Sequence, residues 1–189
     1  MPVETYIREL QRRIALYDDE AAYREIFLFY YKSLMNFAGS FVVSRELAEE
    51  VVSDVFIKLW QNRKSIEEIG NLRVYLYIST KNTSLNYIAK HQKHRTLSMD
   101  DLVVEIGPTA IDPEQIMITA EMRRRIELAI AELPPRCKII FKLIREDGLR
   151  YKEVAEILNI SVKTIDNQLA IALKKISNAI GVKLKVGVK

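Results

Sequence analysis

Along most of this chain apolar residues recur every three to four positions, the period of a helix with one buried face. In residues 4 to 16 they fall at Ile7, Leu10 and Ile14, and they resume at Tyr23, Ile26, Phe27, Tyr30, Leu34 and Phe37. Asp18, Asp19 and Glu20 supply acids suited to the start of the second helix, which is predicted to run to about Ala38 and to end at Gly39. Ser44 is placed to cap a third helix reaching about Gln61. In that helix Val51, Val55 and Leu59 face a core, while Phe56 and Trp60 make a second pair one turn apart, so its later half is apolar on more than one side. Glu50, Asp54, Ile57 and Gln61 form its mixed face, which is either a solvated edge beside a buried Trp60 or a surface for a partner.

The stretch NLRVYLYISTKNTSLNYIAKHQKHR has Val74, Leu76, Ile78, Leu85, Ile88 and Ala89 as its apolar content and reads as helix, despite β-branched residues at its start. Residues 96 to 117 then lose all periodicity and contain Gly107, Pro108 and Pro113, the signature of a linker. Beyond it, Met122, Ile126, Ala129, Ile130 and Leu133 mark a helix that Pro134 and Pro135 stop, and a helix from Arg136 to about Arg145 ends before Gly148.

The next segment, YKEVAEILNISVKTIDNQLAIALKKI, reads as two helices hinged by a turn. Val154, Ala155 and Leu158 stripe the first, Asn159 tolerates the left-handed turn, and Ser161 caps a second helix whose inner face is Val162, Ile165, Leu169, Leu173 and Ile176. Small Ala155 permits the close crossing of a helix-turn-helix. The outer face, Lys163, Asp166, Asn167, Ala170 and Lys174, is either the solvated side of an amphipathic pair in an all-α core or a stripe fit for a major groove, where lysine reaches phosphate or guanine, Asn bonds adenine edges, Asp accepts from cytosine, and Ala packs on a thymine methyl. The pattern thus predicts an all-α chain. Two helical domains, 1–95 and 120–180, are joined by an acidic linker over 96–119, the second domain carries the helix-turn-helix, and a basic tail occupies 181–189.

Charge sharpens this division. The net charge is only +4, but residues 1 to 95 hold 14 bases and 12 acids, residues 96 to 122 hold six acids and no base, and residues 123 to 189 hold 15 bases and seven acids. Between Gly70 and Met99 no acid occurs, while Arg73, Lys81, Lys90, Lys93 and Arg95 alternate with Tyr75, Tyr77, Tyr87, Asn82 and Asn86. Cationic, aromatic and amide side chains together suit unpaired nucleotides, although a core helix with packed tyrosines and a basic end has the same composition.

Several classes are set aside by absence. The longest apolar run, Ile26 to Tyr31, is far short of the roughly 18 to 20 residues that span a bilayer, and the start MPVETYIRELQRR lacks a secretory apolar core, so no membrane insertion and a cytoplasmic address are expected. Cys137 is the only cysteine, which leaves no internal disulfide and no multi-cysteine zinc site. His91 and His94 sit in a basic stretch, and there is neither a nucleophile elbow nor a glycine-rich phosphate loop. No enzyme activity, metal or cofactor is expected.

Four stretches carry a resemblance. RELAEEVVSDVFIKLW resembles the helix that docks on the polymerase clamp, and NLRVYLYISTKNTSLNYI the segment that opens and reads the downstream (−10) promoter element, in RNA polymerase sigma factors of the extracytoplasmic-function type. The ELPPR turn and the GLRYKEVAEIL helix resemble the domain reading the upstream (−35) element; together the matches cover residues 20 to 95 and 120 to 178. The resemblance implies a sigma factor that binds core RNA polymerase and directs transcription initiation from specific promoters. Asp54, Lys58 and Gln61 would meet the clamp helices of the largest subunit, with Trp60 packing the domain. Residues 67 to 71 would capture a flipped non-template base, and Asn71, Arg73, Tyr77, Lys81 and Asn86 would line that strand's path.

On the upstream element, Lys163, Thr164, Asp166, Asn167, Ala170 and Ile171 would face the groove, with Arg150, Lys174 and Lys175 on phosphates. The resemblance also implies an anti-sigma factor partner and an acidic linker threading toward the RNA exit channel. Tyr75 stands where many relatives have Trp, and Ile78 and Thr80 replace commoner basic or small residues, which bears on the single-strand contacts of that helix; Asp166 stands where some relatives place Arg, so the upstream sequence read here is expected to differ from the usual one. Two competing classes are an autonomous helix-turn-helix regulator with an N-terminal sensing or dimerisation domain, and a helical adaptor for another protein.

Overall fold

Asp18 and Asp19 organise the first corner of the fold. The computed structural model of the protein describes residues 3–91 and 120–181, all in helices and short turns with no strand among them. Helix α1 (Val3–Tyr17) buries Ile7, Leu10 and Ile14 and passes into α2 (Glu20–Ala38) through Asp18, which takes a left-handed φ of 51°. The Asp18 carboxylate meets Arg63 at 2.5 Å and Lys64 at 3.1 Å, both in the 3-10 segment Arg63–Glu68 that follows α3 (Arg45–Gln61). Asp19 caps α2, accepting the Ala22 N–H at 3.0 Å and pairing with Arg13 at 2.7 Å.

These contacts make the corner acid-sensitive. Lys64 and Arg63 hold the Asp18 carboxyl below its ordinary range, and the Ala22 N–H followed by Arg13 does the same for Asp19. A carboxyl whose pKa is depressed by folding stabilises the fold above its unfolded pKa and ceases to do so as pH falls through the folded value. Melting temperature is therefore expected to drop as pH falls below about 4. Asp19→Asn keeps a capping oxygen but cannot ionise, so it should flatten part of that drop; an unchanged acid profile in the variant would remove Asp19 from the account.

Ser44 caps α3 by accepting the Leu47 N–H at 3.2 Å. An aromatic seam joins α3 to α2: the Tyr23 hydroxyl donates to the Phe56 carbonyl at 2.6 Å, its ring lies 4.8 Å from Trp60, and Phe27 lies 4.7 Å from Phe56. Burial pushes the Tyr23 phenol up to about 12. Trp60 is half-buried in this seam, with the Arg63 guanidinium 4.8 Å over its ring.

Helix α4 (Leu72–His91) packs against both α2 and α3. Its inner stripe is Leu72, Leu76, Tyr77, Thr80, Thr83 and Ser84, a core face with four hydroxyl-bearing residues. The Thr80 and Ser84 hydroxyls are buried with no hydrogen-bond partner. Thr80 is thus a core residue and not a surface one.

The second half of the chain forms its own compact unit, distinct from the first. Its described helices are α5 (Ala120–Ala131), α6 (Pro135–Arg145), α7 (Tyr151–Leu158) and α8 (Val162–Ala179). Pro135 does not stop a helix but opens one, because the first turn of α6 has no use for the N–H that proline lacks. Every residue from Cys137 to Leu143 is buried, and α6 packs on α8 and α7, while α8 meets all three other helices of the unit. The Cys137 thiol donates to the Gln168 carbonyl at 3.1 Å, and burial raises its pKa, as suits a core thiol.

Gly148, at φ 64°, turns the chain into α7; Asn159, at φ 54° and ψ 52°, ends that helix; and Ser161 caps α8 by accepting the Thr164 N–H at 3.1 Å. Val154, Ile157, Leu158, Ile165, Leu169 and Ala172 are buried in this motif. Val162, expected on the inner face, is 39% exposed, since the first residue of α8 precedes the turn that packs. The expected acidic linker over 96–119 and the tail beyond Gly181 lie outside the described residues. Among the described residues no helix is long and apolar enough to cross a membrane, and no group of His, Cys, Asp or Glu has the makings of a metal site.

Candidate nucleic-acid interface

On α8 the buried residues Ile165, Leu169 and Ala172 fix which side looks outward. Lys163, Asp166, Asn167, Ala170 and Lys174 are all exposed on the other side, and Ile171 extends the stripe at 43% exposure. Thr164 is half-buried at the entry of the helix, its hydroxyl 2.9 Å from that of Ser161. Arg150 is exposed at the start of α7, where its backbone N–H is taken by the Glu153 carboxylate at 2.8 Å. Lys175 departs from the phosphate-facing expectation: its ammonium donates to the Glu132 carbonyl at 2.9 Å, which ties it to the end of α5.

The expected strand-binding residues are not all on one surface. A helix turns about 100° per residue, so Asn71, at the N-cap, and Tyr75, Asn82, Asn86 and Lys90 share one ridge of α4, and all five are exposed. Arg73 and Lys81 are half-buried and lie off this ridge, Arg73 one turn before Tyr77 on the other side of the helix, and burial lowers the pKa of the Lys81 ammonium. Tyr77 corrects the expectation: it is 0% exposed, on the side opposite Tyr75, with its ring 5.0 Å from Phe37. Tyr75 and Asn82 are exposed on the same ridge, and their spacing of seven, then four to Asn86, is the pattern that places them there. Lys90 continues the same ridge by one more turn.

The loop preceding α4 is held by the first helix. The buried Gln11 amide donates to the Ile66 carbonyl at 2.6 Å and the Ile69 carbonyl at 3.0 Å, and Arg8 donates to the Gly70 carbonyl at 2.9 Å. Asn71 accepts the Val74 N–H at 3.1 Å and so starts α4.

On α3, Lys58 and Gln61 are exposed beside Ile57, and Asp54 is half-buried. The Tyr87 hydroxyl donates to the Asp54 carboxylate at 2.9 Å, and that bond raises the pKa of the phenol. Tyr87 therefore links α4 to the acid expected at the polymerase, a contact across 33 residues that helical periodicity does not reveal.

Residues 26–94 match the family model for Sigma-70 region 2 and residues 123–176 that for Sigma-70, region 4, so the two matches together take in well over half of the chain. Over 169 residues the chain is 24% identical to the ECF RNA polymerase sigma-E factor of Escherichia coli (strain K12), covering 86% of this chain and 88% of that protein. Two solved structures share the fold. CnrH in complex with the cytosolic domain of CnrY has 17% identity and a TM-score of 0.58, covering 93% of this chain and 97% of that one. The sigma factor RpoE in complex with the anti-sigma factor NepR from Bartonella quintana has 18% identity and a TM-score of 0.56, covering 85% and 98%.

The chain belongs to the sigma-70 family, with the region 2 and region 4 layout of an extracytoplasmic-function sigma factor. Its function is that of the family, directing promoter-specific initiation of transcription.

Proposed function

We propose that the protein joins core RNA polymerase through the Asp54, Lys58 and Gln61 face of α3, receives the melted non-template strand along α4, and anchors the upstream element with α8. The loop of residues 67 to 71 takes the flipped base, and the ridge of Asn71, Tyr75, Asn82, Asn86 and Lys90 follows with amides, an aromatic ring and a cation. Arg150, Lys163 and Lys174 hold phosphates while Asn167 and Ala170 meet base edges. The protein itself performs no chemistry; it positions DNA for the polymerase, and it works in the cytoplasm. Its partner when idle is an anti-sigma factor, as NepR is for RpoE.

The observation that carries this reading is the exposure of two polar stripes, each opposite a buried face, on two separate folding units. Start-site-specific transcription in vitro is expected only when core polymerase and this protein are combined, with little specific duplex binding by the free protein. Asp54→Ala should lower holoenzyme assembly several-fold without lowering the melting temperature comparably. Tight, specific duplex binding by the free chain would instead make it an autonomous regulator.

A further inference from the structure

Helix α1 lies wholly before the region 2 match, which begins at residue 26, yet it packs along the 3-10 segment Arg63–Glu68 and donates three side-chain hydrogen bonds to the backbone just ahead of α4. Gln11 is 1% exposed, and its amide nitrogen is shared between the carbonyls of Ile66 and Ile69. An amide buried this deeply persists only when its hydrogens are satisfied, and here the acceptors are the two carbonyls that set the path of the loop. Arg8 extends the grip by one residue, to the carbonyl of Gly70, where no neighbouring atom lies within 4 Å of an added Cβ.

We infer that Gln11 and Arg8 are positioning residues for base capture: α1 holds the loop of residues 67 to 71 in the conformation that admits an unstacked non-template base. The inference rests on the reading of that loop as the capture site. Gly70 and Asn71 are exposed at its end; Glu67 and Glu68 close the 3-10 segment, the Ile69 N–H donates back to the Ile66 carbonyl at 3.3 Å, and the Gln11 and Arg8 side chains add donors from outside to the Ile66, Ile69 and Gly70 carbonyls. A preorganised loop binds more tightly than one that must be ordered on binding, and part of that difference is supplied here from a helix that never touches the base. Asn71 then passes the geometry on, since its side chain starts α4 and the exposed ridge beyond it.

The test uses holoenzyme and single-stranded non-template oligonucleotides from a promoter selected by in vitro transcription, with an abasic site placed at each downstream-element position in turn. Wild-type affinity should fall sharply at one position, the captured base. Gln11→Ala and Arg8→Ala should each weaken the intact oligonucleotide by about threefold to tenfold, and lose that effect on the oligonucleotide abasic at the captured position. Arg8 is exposed, so its variant reports even where the loss of buried Gln11 unfolds the chain. Equal weakening of intact and abasic strands, or no weakening in the Arg8 variant, would overturn the assignment. Should no abasic position matter to the wild type, it is the capture-site reading that fails.

Discussion

Replacing Asn167 with alanine is expected to lower holoenzyme affinity for the upstream promoter element by about fivefold to 150-fold, the cost of roughly 1 to 3 kcal/mol for losing one well-formed contact to a base edge. Asn167 is exposed in the second turn of α8, where a recognition helix enters the groove. Its orientation is fixed from behind by buried Ile165, Leu169 and Ala172, and the helix start is locked by Ser161 and Thr164. Little rotational slack therefore remains to move another side chain into its place. Lys163→Ala should behave differently: a lost phosphate contact weakens all sequences alike and reduces the salt slope by about one. Binding isotherms at several salt concentrations, on the cognate element and on single-base variants, separate the two. If Asn167→Ala weakened every variant equally, Asn167 would be a backbone contact and the base-reading role would pass to its neighbours on the stripe.

That α8 was legible from the chain, while α4 was legible only in part, has a physical reason. In α1, α2, α3 and α8 the buried positions are mostly aliphatic or aromatic, so a period of 3.6 separates inside from outside, and Asp19, Ser44 and Ser161 mark the beginnings. In α4 the buried stripe includes Tyr77, Thr80, Thr83 and Ser84, while exposed Tyr75 and Ala89 look apolar, so composition and burial point opposite ways. Composition accordingly offers Tyr75, Tyr77 and Asn82 alike, and only the fold shows Tyr77 inside and Tyr75 and Asn82 outside.

The long-range polar contacts were hidden for a different reason. Gln11 in RELQRR reads as one more solvated residue, and only the fold brings the carbonyls of Ile66 and Ile69 to it from 55 and 58 residues away. Tyr87 on Asp54 and Lys175 on the Glu132 carbonyl are of the same kind. Local patterning determines which face of a helix is buried, but it carries no information on which distant carbonyl or carboxylate will need a donor.

The placement of Tyr77 leads to the second large effect. Tyr77→Ala is expected to destabilise the N-terminal unit by about 3 to 5 kcal/mol, the usual cost of removing a buried aromatic ring and leaving its cavity. The ring is fully enclosed, 5.0 Å from Phe37, which in turn meets Phe41 edge-on at 5.0 Å, so the loss falls in the middle of a connected aromatic row. For a unit of this size each kcal/mol lowers the melting temperature by about 4 to 8 °C, so the variant should lose much of its folded population near 37 °C. Tyr77→Phe keeps the ring and should stay within about 1.5 kcal/mol of the parent, with unchanged affinity of the holoenzyme for non-template strand. Asn86→Ala should show the reverse pattern, weaker strand binding at an unaltered melting temperature, because Asn86 is exposed on the ridge. Should Tyr77→Phe instead lose strand affinity while melting normally, the hydroxyl must reach DNA, which requires α4 to rotate away from Phe37 in the transcribing complex.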